Sequence, residues 1–199
     1  MGEERSEVQE LAARARSGET EAFEALYRSH QAGIYTFILS QVRERELAAD
    51  LTQETFVRAW QSLPRLRKAG AFRGWLHRIA ANLVRDEVKS GRARLEVAAS
   101  VLATDGETPA PEPRADAAEG PEAMLVSQEM KGAVWDALAE LPAQQRAAVV
   151  MHHVEGMSMA EIAEATGVRP GTVMSRLARA REALRKSLSR YVEGTDDLS

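Results

Sequence analysis

The chain has 199 residues and carries 26 Lys and Arg against 30 Asp and Glu, which gives a formal net charge of −4. This charge argues against a protein that binds nucleic acid with its whole surface, so any such contact must come from local basic faces. The chain has no cysteine, which excludes disulfides and thiolate metal sites. It shows neither the apolar core of a signal peptide nor an apolar run near the roughly 20 residues that span a bilayer, so we expect a cytoplasmic protein without membrane insertion.

The N-terminal part of the chain predicts a bundle of helices. A first helix is expected over about residues 6–17, ending at Gly18, and a second begins with Thr20 as its cap. In the second helix, Phe23 and Leu26 recur with helical spacing and are expected in the core. β-branched residues are sparse and do not alternate along the chain, so strands are not expected and the predicted fold class is all-α.

The third predicted helix, about residues 46–63, has two contrasting faces. One face is expected to enter the core and carries Ala49, Thr52, Phe56, Ala59, Trp60 and Leu63. The opposite face carries acidic and polar side chains with one apolar residue among them: Asp50, Gln53, Glu54, Val57 and Gln61. Such a stripe is either a solvated surface or a site that docks a basic partner helix, and the pattern alone leaves both interpretations open.

A basic loop and a fourth helix follow. Pro64 ends the third helix, and Arg65, Arg67 and Lys68 make the loop basic. The next helix, about residues 71–89, has a buried stripe and an outer stripe, the latter formed by Arg78, Asn82, Arg85 and Lys89 with Trp75 and Asp86 beside it. Cations at this spacing can follow a phosphate backbone, and an amide and an aromatic edge can read or stack exposed bases. The alternative is that Trp75 belongs to the core and the cations are merely solvated.

A change in composition marks a boundary between two domains. Residues 91–121 hold four of the seven prolines and six acidic residues but no aromatic residue. Such a segment cannot bury enough apolar surface to offset its ordering entropy, which predicts a flexible acidic linker. We therefore expect an N-terminal domain at 1–90, the linker at 91–121, a C-terminal domain at 122–193 and a short tail at 194–199.

The C-terminal domain contains the pattern of a helix-turn-helix. Ser158 and Glu161 form a capping-box sequence, Gly167 supplies a sharp turn, and Pro170 suits the start of the next helix, in which Val173 is a branched apolar anchor. Along this second helix one apolar stripe recurs at helical spacing: Val173, Leu177, Ala180, Leu184, Leu188 and Tyr191. Between residues 171 and 190 there are six basic residues and one acidic residue. An exposed basic face on the second helix of such a motif fits the major groove of DNA, the alternative being an ordinary solvated face.

Three segments, taken together and in this order, resemble a known protein family. They are DLTQETFVRAW, FRGWLHRIAANLVRD and ALAELPAQQRAAVVMHHVEGMSMAEIAEATGVRPGTVMSRLARAREALR. They look like the extracytoplasmic-function (group 4) sigma factors of bacterial RNA polymerase. The resemblance implies a protein that binds core RNA polymerase, recognises the −35 and −10 promoter elements, assists promoter melting and directs initiation. It also implies promoter DNA and an anti-sigma factor as partners, a monomer when free of partners, no enzymatic activity and no cofactor.

The resemblance assigns three sets of site residues. The core-polymerase-binding set is Asp50, Gln53, Glu54, Val57 and Gln61. The −10 set is Arg65, Arg67, Lys68, Trp75, Arg78, Asn82, Arg85 and Asp86, where some family members carry a neutral polar residue in place of Asp86. The −35 set is Thr172, Met174, Ser175, Arg176, Ala178, Arg179, Arg181 and Arg185. Several members have an arginine in place of Met174, so base choice there is expected to be weaker or to use a thymine methyl or DNA shape.

Two other function classes can be weighed against this one. An ordinary helix-turn-helix regulator with a helical sensing or dimerising domain would explain the C-terminal motif, but it leaves the acidic stripe and the basic loop without a function. An enzyme is poorly supported, because the adjacent His152 and His153 point about 100° apart on a helix and no cluster of carboxylates completes a metal site.

Overall fold

The computed structural model describes residues 2–99 and 132–193, with side chains described for 6–91 and 132–189. These residues form helices joined by short turns, and none of them forms a strand. The prediction of an all-α fold is therefore confirmed.

Four helices build the N-terminal domain. Their bounds are α1 Gly2–Arg16, α2 Thr20–Val42, α3 Arg45–Ser62 and α4 Phe72–Ala99, with 3-10 turns at Leu63–Arg65 and Ala69–Ala71 between α3 and α4. The predicted cap of α2 is wrong by one residue, because Glu19 holds the extended cap position and no side chain caps the helix there. Gly18 adopts a positive φ of 102°, which lets the chain reverse between α1 and α2.

The fourth helix extends farther than the sequence predicted. It continues through Ala99, beyond the predicted start of the linker at residue 91. The isolated Gly91 is tolerated at a cost of about 1 kcal/mol, because the residues that follow it up to Ala99 contain no proline and are mostly good helix formers. The rest of the predicted linker and the tail lie outside the described residues.

The C-terminal domain contains the predicted helix-turn-helix. Its helices are α5 at residues 132–140, α6 Ala143–Val149 running into a π-helical turn Val150–Val154, α7 Met159–Thr166 and α8 Pro170–Glu193. The capping box is confirmed, since Ser158 Oγ accepts from the Glu161 N–H and the Glu161 carboxylate accepts from the Ser158 N–H. Gly167 ends α7 in the left-handed conformation with φ of 69°, as its turn role requires.

Burial along α8 follows the predicted apolar stripe. Val173, Leu177 and Ala180 are buried against the preceding helices, and Leu184 is partly buried against the same core. The opposite side of the helix is left facing solvent. Tyr191, which the sequence placed on the same stripe, lies outside the described side chains.

The two helical groups pack against each other. Helix α4 lies against α7, and α2 lies against α6 and the π-helical turn. Buried residues from both groups form one continuous hydrophobic core. The outward faces of α3, α4 and α8 remain available to other molecules.

Candidate nucleic-acid interface

The outer face of α3 presents the predicted polymerase-binding stripe. Asp50, Gln53, Val57 and Gln61 are exposed, and Glu54 is half-buried. Val57 is unusual for an exposed position, because 49% of this apolar side chain is accessible. The Glu54 carboxylate accepts a hydrogen bond from Arg58 Nε at 2.7 Å, one helical turn away. The stripe therefore combines acidic groups with one exposed apolar side chain.

The inner face of α3 enters the core as predicted, except at Ala49, which is only half-buried, and at Trp60. Thr52, Phe56 and Ala59 are buried, whereas Trp60 is 40% exposed. Trp60 has a ring large enough to extend past the edge of the buried face, and it packs against Phe23 with ring centroids 4.9 Å apart. Its assignment to the core was therefore only partly right.

The basic loop is held by buried leucines that point in the opposite direction from its cations. Leu63 and Leu66 are buried, while Arg65, Arg67 and Lys68 are exposed. Arg16 Nη1 from α1 donates to the Leu66 carbonyl at 3.1 Å. This contact fixes the loop backbone, so the three cations project from a supported loop. Sequence reasoning missed Arg16, because nothing local connects it to a loop fifty residues away.

The outer face of α4 continues this basic surface. Arg78, Asn82, Arg85 and Asp86 are all exposed, with spacings that keep them on one side of the helix. Arg85 Nη1 donates to Asn82 Oδ1 at 2.9 Å, which leaves the amide N–H₂ of Asn82 free to donate outward.

Trp75 lies at the edge of this surface. It is half-buried, and its ring is tilted against Phe72 with centroids 5.9 Å apart. Part of the indole therefore belongs to the core and part remains accessible.

The exposed face of α8 carries the predicted −35 residues. Thr172, Met174, Ser175, Ala178, Arg179, Arg181 and Arg185 are exposed, and Arg176 is half-buried. Met174 is 63% exposed, the highest value among the large apolar side chains that the structure describes. In the described part of the chain, Arg179 makes no hydrogen bond or ion pair, so its guanidinium is available to a ligand.

Several other polar groups on this face are already paired. Ser175 Oγ donates to the Thr172 carbonyl at 2.9 Å, so the serine retains only its lone pairs for an outside donor. Arg176 Nη2 donates to Gln144 Oε1 at 2.5 Å, which ties α8 to α6. Arg179, unlike Ser175 and Arg176, can therefore bind a ligand without giving up an internal hydrogen bond.

Arg181 and Arg185 border an apolar groove between α8 and the end of α6. The groove has a volume of about 290 Å³, and its other lining residues are Val149, His153, Leu177, Leu184 and Leu188. Burial lowers the pKa of His153, and the nearby His152 and Arg181 lower it further. Arg185 is also paired with Glu182 at 3.1 Å.

The histidine pair does not form a metal site with its neighbours. The rings of His152 and His153 lie 4.7 Å apart, and His152 Nδ1 is 2.9 Å from the Met157 carbonyl. Within 2–99 and 132–193, no group of three or more His, Asp or Glu side chains is arranged to hold a metal ion. Over the same residues, no helix is both long and apolar enough to cross a membrane.

Comparison with known proteins identifies the family from both halves of the chain. Residues 26–94 match the model of Sigma-70 region 2, and residues 131–184 match the model of Sigma-70 region 4. The RNA polymerase sigma-H factor of Pseudomonas aeruginosa is 33% identical over 180 residues, which cover 90% of this chain and 93% of the relative. The chain belongs to the Sigma-70 family, in the class of the relatives SigE and SigW, which are named ECF (extracytoplasmic-function) RNA polymerase sigma factors. The region 2 match sets aside the ordinary helix-turn-helix regulator, which has no use for that domain.

Other relatives and solved structures agree with this family. The sigma factor SigW of Bacillus subtilis is 31% identical over 173 residues, covering 87% of this chain and 92% of SigW. SigE of Mycolicibacterium smegmatis is 36% identical over 176 residues, covering 87% of this chain and 64% of that longer protein. The structure of CnrH in complex with the cytosolic domain of CnrY has a TM-score of 0.66 and 28% identity, and covers 92% of this chain and 98% of CnrH.

The family fixes the general activity of this sigma factor. It binds core RNA polymerase and promoter DNA and directs transcription initiation. Region 2 contains α3, the basic loop and the outer face of α4, and region 4 contains most of α8, including Arg179. The exposed residues described above therefore lie in the two regions for which the family is named.

Proposed function

We propose that this sigma factor uses three separate exposed surfaces during initiation. The polymerase-docking surface is the α3 stripe of Asp50, Gln53, Glu54, Val57 and Gln61. The −10 surface consists of Arg65, Arg67, Lys68, Trp75, Arg78, Asn82, Arg85 and Asp86. The −35 surface consists of Thr172, Met174, Ser175, Arg176, Ala178, Arg179, Arg181 and Arg185. The observation that carries this proposal is the charge of these surfaces. The α3 stripe is acidic, whereas the residues outside the core on the loop, α4 and α8 are predominantly basic.

The −10 surface is suited to capturing single strands rather than reading a duplex. Extruding a base from the duplex costs a few kcal/mol in lost stacking and pairing. Stacking on an aromatic side chain returns roughly 1–3 kcal/mol per base, and Trp75 is the aromatic side chain on this surface with accessible area. The cations of the loop and α4 hold the phosphates of the same strand. Melting then depends on a −10 sequence that offsets the cost, which makes promoter choice stringent.

Asp86 has a different role from its neighbours on α4. It is exposed beside the cations, and a carboxylate repels phosphates and cannot donate to a base acceptor. Its available contact with a base is to accept from an exocyclic amino group. We place it at the margin of the −10 surface, where it restricts the sequences that bind rather than adding affinity.

The −35 surface reads duplex DNA with the unpaired guanidinium of Arg179 and an apolar patch. Arg179 can donate both hydrogen bonds that a guanine accepts in the major groove. Met174 and Ala178, one helical turn apart, offer apolar contact to a thymine methyl. Ser175 contributes as an acceptor, and the paired or groove-lining arginines contact phosphates.

We also propose a two-domain organisation, a cytoplasmic location and control by an anti-sigma protein. The N-terminal domain extends through α4, and the segment that follows joins it to the C-terminal domain, which begins at residue 132. We assign no covalent chemistry to either domain. Initiation takes place on chromosomal DNA, so the protein acts in the cytoplasm. The related CnrH was solved with the cytosolic domain of CnrY, and we propose that this sigma factor is likewise held by an anti-sigma protein that covers its docking and DNA surfaces.

Run-off transcription tests the proposal. Bacterial core RNA polymerase is assayed with and without this protein on a template that carries the region upstream of its own gene. A discrete transcript that requires the protein supports the proposal, and its 5′ end locates the two promoter elements for footprinting. Footprints at these elements that are unchanged when the loop cations and Arg179 are replaced by alanine would contradict the assigned surfaces.

A further inference from the structure

The backbone of the basic loop is held from outside by one side chain of α1. Arg16 Nη1 lies 3.1 Å from the Leu66 carbonyl oxygen and 3.5 Å from the Arg67 carbonyl oxygen, and it donates to both. These two carbonyls belong to successive peptide groups. None of the backbone hydrogen bonds in the described part of the loop uses either oxygen, so the guanidinium of Arg16 supplies a partner that these groups would otherwise take from water.

These two contacts fix the direction of one side chain in particular. The Leu66 carbonyl lies in the peptide group before Arg67, and the Arg67 carbonyl lies in the peptide group after it. Because φ and ψ are the rotations of these two planes about the Cα atom, holding both planes sets where the Cα–Cβ bond points. Arg67 is exposed, so its guanidinium extends into solvent from a Cα atom whose orientation depends on Arg16.

The other two cations of the loop depend less on α1. Arg65 belongs to the first 3-10 turn, which is closed by the hydrogen bond from the Leu66 N–H to the Leu63 carbonyl at 2.9 Å. Lys68 precedes the second 3-10 turn, and its carbonyl accepts the hydrogen bond that closes that turn. Each turn therefore supplies its own backbone hydrogen bond, whereas the stretch between them, where Arg67 lies, receives its hydrogen bonds from α1.

Helix α1 is a rigid support for this contact. Ala12 and Ala15 are buried in the core, which fixes α1 against the rest of the N-terminal domain. Gln9 lies two turns before Arg16 and therefore on the same side of the helix. A Cβ atom on Gly70, in the second 3-10 turn, would lie 3.2 Å from Gln9 Oε1. The absence of a side chain at Gly70 thus lets this part of the loop lie directly against α1.

We propose that Arg16 is a positioning residue for recognition of the −10 element and that it acts by orienting Arg67. The proposal rests on the assignment of the loop to the −10 surface given above. A side chain that is already directed at its acceptor loses less entropy on binding, and it favours the one sequence that places the acceptor there. Loss of Arg16 should therefore lower discrimination between −10 sequences. Arg16 lies outside residues 26–94, which match Sigma-70 region 2, so the family match assigns it no role.

Limited proteolysis tests the support of the loop without reference to DNA. Trypsin cleaves after Arg67 or Lys68 when the backbone around that bond opens, so the initial cleavage rate, measured by mass spectrometry, reports local order. Arg16→Met keeps the aliphatic stem and removes the donors. Arg14→Met is the matched control, because Arg14 lies on the same helix and pairs with Glu19 instead of the loop. We expect the rate to rise by about tenfold in Arg16→Met alone, as for the loss of one hydrogen bond from a charged group. Equal rates in the two variants would overturn the support.

Run-off transcription with core polymerase tests the consequence for recognition. The −10 discrimination is the amount of transcript from the protein's own promoter, divided by the amount from the same template with single bases of the −10 element replaced. We expect Arg16→Met to lower this ratio by about fivefold and Arg14→Met to leave it unchanged, with the same −35 footprint in both.

The variant Arg67→Ala separates a failure of this inference from a failure of the proposed function. If Arg67→Ala lowers the −10 discrimination and Arg16→Met does not, the role of Arg16 is refuted while the −10 surface stands. If Arg67→Ala leaves the discrimination unchanged, the assignment of Arg67 to the −10 surface is wrong and the role of Arg16 fails with it. The cleavage rates still decide whether α1 orders the loop.

Combined substitutions distinguish positioning from a direct contact of Arg16 with DNA. Because Arg16 acts through Arg67, Arg16→Met should lower the discrimination little further once Arg67 is replaced by alanine. In the Arg65→Ala background, the same substitution should lower it as much as in the wild type. A full additional loss in the Arg67→Ala background would contradict the proposal. Each variant should keep wild-type helicity by circular dichroism, because Arg16 is exposed at the end of α1.

Discussion

His77 should make the stability of this protein depend on pH. The imidazole is 1% exposed, and its Nδ1–H donates to the Arg73 carbonyl at 3.0 Å. Burial lowers the pKa of His77 from 6.5 to about 4; the hydrogen bond to the Arg73 carbonyl partly opposes this, and the charges of Arg73 and His30 lower the pKa further while that of Glu161 raises it slightly. Between pH 6.5 and 4 the unfolded chain therefore binds a proton that the folded protein excludes. Stability from this group is complete above pH 6.5 and is lost as pH falls toward 4.

The size of the effect follows from the two pKa values. One pKa unit corresponds to about 1.4 kcal/mol, so the full loss is about 3 kcal/mol, of which about 2 kcal/mol is already lost at pH 5. Urea unfolding of the wild type and of His77→Asn at pH 7.5 and pH 5 measures it, since an asparagine can keep the donor to the Arg73 carbonyl. Acidic groups titrate in both proteins, so the difference between them isolates His77. Equal losses of unfolding free energy in the two proteins would refute the reasoning.

Three further predictions concern the proposed surfaces. Glu54→Arg should weaken binding to core polymerase, measured by co-elution, by more than tenfold. Glu24→Arg is the control, because it breaks the same kind of i,i+4 ion pair, with Arg28, outside the stripe and should leave binding unchanged. Equal binding by both variants would contradict the docking surface. Arg179→Ala should weaken discrimination of the −35 sequence by about 1–3 kcal/mol and so weaken the −35 footprint, whereas Lys186→Ala on the same helix should change it little. An intact footprint in Arg179→Ala would reject Arg179 as a base-reading residue. Replacing thymine by uracil in the −35 element should weaken wild-type binding more than it weakens binding by Met174→Ala, and identical responses would exclude a methyl contact.

The helix-turn-helix was predictable because its determinants are local. Ser158 and Glu161 are three residues apart, Gly167 ends the same short helix, and Val173 follows within two turns. Each of these residues acts on its own backbone or on an adjacent helix, so the sequence contains the whole argument. The outward positions of the α4 and α8 site residues were predictable for the same reason, because a period of 3.6 residues fixes which side of a helix opposes the core.

The contacts that support and link these surfaces were not predictable. Arg16 reaches the Leu66 carbonyl across 50 positions, and Arg73 reaches Glu155 across 82. Nothing in the composition of either partner reveals such pairs. Gly33, which lies against the Glu155 side chain, was not singled out either, although a glycine in the middle of an otherwise regular apolar helix is a usable signal of close approach by another group. The domain contact is therefore a property of tertiary packing that this sequence alone only hints at.

The pairing of the DNA-facing side chains has a consequence for binding in the absence of polymerase. Arg85 is bonded to Asn82, and Arg185 to Glu182, before any DNA arrives. Each must exchange an internal partner for a phosphate or base, which removes part of the gain from every new contact. Arg179 has no such partner among the described residues, so it can contact DNA without giving up an internal bond. The internal pairing of the other side chains and a net charge of −4 support only weak binding to free DNA. Specific initiation then requires the polymerase to hold both domains on the promoter together, so that the second contact is made at high effective concentration.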